Sequence, residues 1–165
     1  MIVESEAFKN GTIADRYGKR GSQIGAAGMP VLSFPLKISG APAGTASYAI
    51  VFDDPDAVGP CGFTWVHWLV AGLKDSELPE DASRTRTDLI QGANSWYRHG
   101  TNDRDEASCY GGPAPPDRPH TYVLTVLALD FIPVLRKGFE YDALMKVADT
   151  HILAKAVLKG TYSNE

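Results

Sequence analysis

The chain has 165 residues, 44% of them apolar and 10% aromatic, the size of one ordinary domain able to bury roughly two-thirds of its unfolded surface. Its 20 acidic residues outnumber 16 basic ones and leave a net charge of −4, which argues against a basic stripe for phosphate backbones and so against nucleic acid as a partner. A small anion pocket stays open, because it needs only a few converging donors. With 16 glycines and 11 prolines, the chain suits a mostly β fold with many turns better than a helical bundle. Cys61 and Cys109 are too few for a disulfide framework. No run approaches the roughly 20 apolar residues that cross a bilayer, so no transmembrane segment is expected. The first twenty residues carry Glu4, Glu6 and Asp15 and lack the apolar centre of a signal peptide; the expected address is the cytoplasm.

In chain order, residues 1–21 are turn-rich and mixed in polarity. VLSFPLKI (31–38) predicts a short peripheral strand broken by Pro35, and SGAPAG (39–44) a turn. SYAIVFDD (47–54) is a β-branched and aromatic strand that ends in carboxylates before Pro55. TWVHWLVAGL (64–73) is a second dense apolar strand. Residues 74–87 are polar and fit turns or a short helix. GANSW (92–96) opens a loop region reaching Cys109, followed by YGGPAPPDRP (110–119), a loop stiffened by proline in which one X–Pro bond is a candidate for cis. HTYVLTVLALD (120–130) is the strongest strand, apolar enough that both faces should be covered. From Tyr141, apolar residues at Leu144, Met145, Val147, Ala148, Ile152 and Leu153 keep helical spacing, and AVLKGTYS can return to strand. No repeat or composition shift divides the chain, so a single domain over 1–165 is expected.

Polar chemistry interrupts these strands at three places. Asp54 and Asp56 flank Pro55, two apart, and point the same way if the segment is extended. His67 lies within Trp65-Val66-His67-Trp68, where alternation puts Trp65 and His67 on one face and Val66 and Trp68 on the other. His120 and Tyr122 share a face at the start of the third strand. Each has a plain structural explanation, a turn cap or a hydrogen-bonded core histidine. Together, they put carboxylates, histidines and a phenol at strand ends beside rigid loops, where ligands bind. Asp and His suit a metal. Equally, carboxylates can hold imidazolium groups charged against an anion. Spacing alone does not choose.

DDPDA (53–57), VHWLVAGL (66–73), GANSW (92–96) and YGGPAPPDRPHTYVLTVLALD (110–130) resemble the signature blocks of the phosphatidylethanolamine-binding protein family. DTHILAKAVLKGTY (149–162) resembles the ending of its bacterial and archaeal, kinase-inhibitor-like branch. The resemblance implies a PEBP-like fold with a large central antiparallel sheet, a smaller second sheet and short peripheral helices. It also implies a surface cavity for phosphate or a phosphorylated, phosphatidylethanolamine-like head group. Matching motif to motif, its ligand-binding residues would be Asp54, Asp56, His67, Gly111, Pro113, His120 and Tyr122, with the histidines donating to ligand oxygens. No catalytic residue and no cofactor are expected, and the protein is read as a binding protein. Val58 stands where many members have proline, and Ala114 where microbial relatives often have cysteine, so no redox role carries over to that loop. Two other readings stay open: a hydrolase, using a metal held by Asp54, Asp56, His67 and His120 or an Asp–His base, and a regulatory module that inhibits a kinase or protease. The branch also implies a homodimer.

Overall fold

A computed structural model describes all residues, Met1–Glu165. Ten strands form along the chain: β1 (Ile2–Glu4), β2 (Phe8–Lys9), β3 (Thr12–Ile13), β4 (Leu36–Ser39), β5 (Ser47–Asp54), β6 (Trp65–Leu73), β7 (Glu77–Leu78), β8 (Ile90–Gln91), β9 (His120–Leu129) and β10 (Ile152–Tyr162). Three short α-helices accompany them, α1 (Val58–Cys61), α2 (Ala82–Thr85) and α3 (Tyr141–Ala148), with several single turns of 3₁₀-helix. β1, β4 and β7 make a three-stranded sheet. The other seven strands make the large sheet, in the order β2-β3-β10-β9-β5-β6-β8. This is the mostly β, PEBP-like architecture expected, a large and a small sheet with short peripheral helices. Its pairings are antiparallel except where β10 meets β3 in parallel at Thr161 and Thr12.

The strands follow the sequence pattern with three instructive differences. β4 starts after Pro35, so residues 31–35 stay outside the sheet, as a residue without an N–H dictates. α3 ends at Ala148, and Ile152 and Leu153 open β10 although their spacing continues the helical period. Ile152 pairs with Leu129 across the sheet, and this tertiary pairing overrides the local pattern. β9 is covered on both faces only toward its end, with Thr121, Val123 and Thr125 half-buried. All peptide bonds are trans, those of the 110–119 loop included.

The main core lies on the inner face of the large sheet, where Phe34, Phe52, Trp68, Tyr110 and Tyr122 are fully buried. Phe34 stands edge-on to Phe52, Trp68 and Tyr110 with centroids 5.1–5.9 Å apart, the arrangement aromatic quadrupoles favour. Leu144 and Ala148 of α3, with Phe139, cover the outer face over Ala49, Val51, Leu69 and Leu127. β9, β5 and β6 are adjacent and antiparallel, so the end of β5 lies beside the starts of β6 and β9. Asp54 pairs with Trp65, and Asp53 with both Val66 and Val123.

Candidate functional site

That shared end is where the polar residues collect. The β5–β6 register shifts between Phe52–Trp68 and Asp53–Val66, which leaves His67 as an extra residue opposite the step. The bulge re-aims its side chain. His67 packs against Phe52 and Tyr122, the inner-face neighbours of Trp68, while Val66 packs on the outer cluster. The simple alternation expected for Trp65-Val66-His67-Trp68 is therefore corrected: His67 and Trp68 share the inner face and Val66 turns away.

The cavity at this end has a volume of about 340 Å³. Asp54, Trp65, His67, Trp96 and Tyr122 form its floor and one wall, and Ala114 and Pro116 of the proline-rich loop form another. Lys19, Ala27, Gly28, Ala57 and Cys61 complete the lining. Gly111 stands behind the floor. Its N–H donates to His67 O at 2.8 Å and its carbonyl accepts from His67 Nδ1 at 2.5 Å. A Cβ on Gly111 would lie 2.8 Å from the Trp96 ring, and one on Gly112 only 2.1 Å from Tyr17 O; no larger residue allows the loop this close. Pro113 does not line the cavity; its carbonyl accepts from Lys19 N–H at 2.8 Å and so ties the loop to the rim.

His67 is 3% exposed. Burial is the largest influence on its imidazole, outweighing the carbonyls of Gly111 and Gly112, and brings its pKa down to about 4. It is neutral through the physiological range, with the proton on Nδ1, because a carbonyl can only accept. Its Nε2 makes no hydrogen bond within the protein. The expectation of an imidazolium at His67 donating to an anion is overturned by this burial.

His120 is fully buried and lies behind Asp54, outside the lining. Its Nδ1 is 2.6 Å from Asp54 Oδ2 and its Nε2 is 2.8 Å from Asp117 Oδ1. Burial acts against its charge, but the two carboxylates prevail and hold its pKa above the ordinary value. With both nitrogens engaged, His120 has no N–H left for a ligand, which corrects the direct donor role expected for it. Burial pushes Asp54 above the usual carboxylate range despite His120, and Asp54 also accepts from Ala57 N–H at 3.2 Å. Asp56 turns away from the cavity. Pro55–Ala57 form a 3₁₀ turn in place of an extended segment, and Asp56 accepts from Thr121 N–H at 2.8 Å and lies 3.5 Å from Arg118.

Two donors on the cavity lining stand out. Trp65 Nε1 and Tyr122 OH are both buried and complete no hydrogen bond of normal geometry within the protein, although the phenol lies close to Asp54 and to the backbone of Ala114. Burial first, then neighbouring Asp54, drives the Tyr122 phenol far above its ordinary pKa, so it stays protonated. Both rings of the two histidines pack on Tyr122, with centroids 5.1 Å and 6.4 Å away. Asp54, His67 and Tyr122 thus line one cavity, His120 backs it, Gly111 and Pro113 hold its loop, and Asp56 braces its edge. Sequence reasoning missed Trp65, Trp96 and Lys19 as wall residues and Asp117 as the second partner of His120. The shared face of Trp65 and His67 was a usable signal for the first. Nothing local marks Lys19, which arrives through long-range packing.

No group of three or more His, Cys, Asp or Glu side chains is arranged as a metal ligand set, because His120 is held by carboxylates and Asp56 faces outward. Ser95 Oγ accepts from Val66 N–H, and Ser108 Oγ donates to Arg104 O, so neither sits on a histidine as an activated nucleophile does.

The scaffold is mostly β, with a partly apolar cavity and buried donors at its strand ends. The chain belongs to the phosphatidylethanolamine-binding protein family, whose model matches residues 4–163. It is 40% identical over 165 residues to YxkA of Bacillus subtilis (strain 168), covering 96% of both chains. It is 33% identical over 166 residues to a UPF0098 protein of Chlamydia pneumoniae, covering 98% of both. Among solved structures it is similar to a putative phosphatidylethanolamine-binding protein homolog from Chlamydia trachomatis, with 31% identity and a TM-score of 0.78 over 99% of this chain and 97% of that one. It is also similar to Escherichia coli YbcL, described as a new member of the mammalian PEBP family, with 26% identity and a TM-score of 0.79 over 99% and 98%. No helix is long and apolar enough to cross a membrane.

Proposed function

We propose that this protein is a non-enzymatic binding protein, folded as one domain over 1–165, whose cavity at the β5, β6 and β9 ends takes phosphate or a phosphorylated head group. One observation carries the reading: Trp65 Nε1 and Tyr122 OH are buried donors of residues on one cavity lining, and neither completes a hydrogen bond of normal geometry within the protein. An orphaned buried donor costs about 1–3 kcal/mol, and an oxyanion entering the cavity supplies the acceptor to both. Lys19 adds a positive charge at the rim. Family membership supports the same reading, since two similar structures carry the phosphatidylethanolamine-binding name. Asp54 and His67 orient the site, His120 and Asp117 hold Asp54, and the Gly111–Pro113 segment presents the wall.

Calorimetric titration of inorganic phosphate and phosphoethanolamine, with and without chelator, tests this. Saturable, chelator-insensitive binding is expected. Trp65→Phe and Tyr122→Phe should each weaken it about tenfold or more, the worth of a hydrogen bond to a charged group. Unchanged affinity in both variants would remove the reading. On its ending, 149–162, we also place the chain in the bacterial and archaeal kinase-inhibitor-like branch, as a cytoplasmic homodimer. Light scattering should then give twice the 17.8 kDa of the chain.

A further inference from the structure

The donors and acceptors on the cavity wall, taken together with the anion reading above, specify the form of the anion. Two groups give hydrogen bonds. Trp65 Nε1–H has no acceptor capacity, and Tyr122 OH is a protonated phenol; both are buried and unpartnered. Two groups take them. His67 engages Nδ1–H with Gly111 O at 2.5 Å and sits among the rings of Phe52, Trp96 and Tyr122. A neutral imidazole held this way carries a lone pair on Nε2. Asp54 also lines the cavity and offers only lone pairs, having taken N–H groups from Ala57 and His120.

The charges around the cavity do not reverse this pattern. The His120 imidazole is enclosed between Asp54 and Asp117 and directs no N–H at a ligand. Burial and the charges of Asp54 and Asp117 push the Cys61 thiol up, so it stays neutral. Lys19 contributes one cation at the rim.

A ligand that fits must accept from Trp65 and Tyr122 while donating to His67 Nε2 or Asp54. Sulfate and a phosphate diester offer acceptors alone. Either would set its lone pairs against the imidazole lone pair on His67 Nε2. We propose that the cavity selects an oxyanion that still carries a proton, the P–OH monoanion of phosphate or of a phosphate monoester, over oxyanions of similar shape that carry none. A site that leaves its own buried polar groups unpaired rejects the ligand lacking the matching group by large factors, and at least tenfold is expected here.

The test is calorimetry on the full chain at about pH 5.5 with inorganic phosphate, methyl phosphate, sulfate and dimethyl phosphate. Phosphate and methyl phosphate should bind at least tenfold more tightly than sulfate and dimethyl phosphate. Methyl phosphate should then weaken more than tenfold by pH 8, because its second ionisation lies near pH 6 and depletes the P–OH form. Methyl phosphate binding as well as inorganic phosphate assigns a monoester as the source, and weaker binding assigns free phosphate. Sulfate or dimethyl phosphate matching phosphate at pH 5.5 would overturn the proton selection and leave the anion site standing. Failure of all four to bind would overturn both.

Discussion

Tyr122 and His67 each carry a burial cost that a single substitution can expose. The Tyr122 hydroxyl is buried with no partner, so removing it relieves a desolvation cost with no loss of a bond. Tyr122→Phe should therefore raise the stability of the free protein by about 1 kcal/mol while weakening anion binding, a combination that urea unfolding beside calorimetry would reveal. His67 acts through its charge. Its folded pKa of about 4 lies below the unfolded 6.5, so the unfolded chain binds the proton more readily between those values. The stability it contributes is fully present above about pH 6.5 and is lost as pH falls toward 4, about 3 kcal/mol in all. His67→Asn keeps an N–H for the Gly111 carbonyl and removes the titration. Its stability should lack this acid-side decline, and urea midpoints at pH 7 and pH 4.5 for both proteins provide the check. Asp54, His67, His120 and Tyr122 were legible in the sequence because polar groups at the ends of apolar strands stand out. Their protonation states were not, since these depend on what encloses each ring: aromatic side chains around His67, and two carboxylates on His120, one of them from a loop residue three positions away.

The elements follow the sequence where local pattern and tertiary pairing agree. β5, β6 and β9 are both apolar in sequence and central in the sheet. The helical period running past Ala148 misleads, because Ile152 finds a partner in Leu129 and no local signal announces it. The bulge at His67 is likewise invisible in sequence, since it belongs to the register between two strands. The 110–116 loop combines both kinds of information. Prolines at 113, 115 and 116 limit its freedom in sequence, and its position is fixed by Gly112 N–H donating to Pro30 O and by the Gly111–His67 pair of hydrogen bonds. Its amides should exchange slowly in the free protein. Gly112→Ala tests the packing: the new Cβ would meet the backbone oxygen of Tyr17 at 2.1 Å, and backbone cannot swing aside as a side chain can. A loss of about 1–3 kcal/mol is expected, with exchange accelerated across 110–116. An unperturbed variant would mean that the loop is not held there.

At the scale of the whole molecule, the cavity depends on the two ends of the chain meeting. Tyr162, the last residue of β10, is 2% exposed; its hydroxyl accepts from Arg20 N–H at 2.8 Å and donates to Asp15 O at 3.1 Å. The Arg20 guanidinium stacks over its ring at 4.9 Å. Gly18 lets that ring come close, since a Cβ there would lie 2.5 Å from it. The segment held in this way, 15–20, carries Lys19, which lines the cavity and whose N–H donates to Pro113 O. A single continuous set of contacts thus runs from β10 through residues 15–20 to the proline-rich wall, although these pieces are far apart in sequence. Tyr162→Phe keeps the ring and removes both hydroxyl hydrogen bonds, leaving Arg20 N–H and Asp15 O without that partner. The fold should lose about 1–3 kcal/mol. Because the loss falls on the rim, the Lys19, Arg20 and Gly112 amides should exchange faster while those in the middle of β5 and β9 stay protected. Phosphate affinity should drop severalfold, although Tyr162 does not line the cavity. Hydrogen exchange and calorimetry on the same variant read both effects. If exchange quickens along 15–20 while affinity is unchanged, the rim segment does not help to form the binding site, and the donors on Trp65 and Tyr122 act without it.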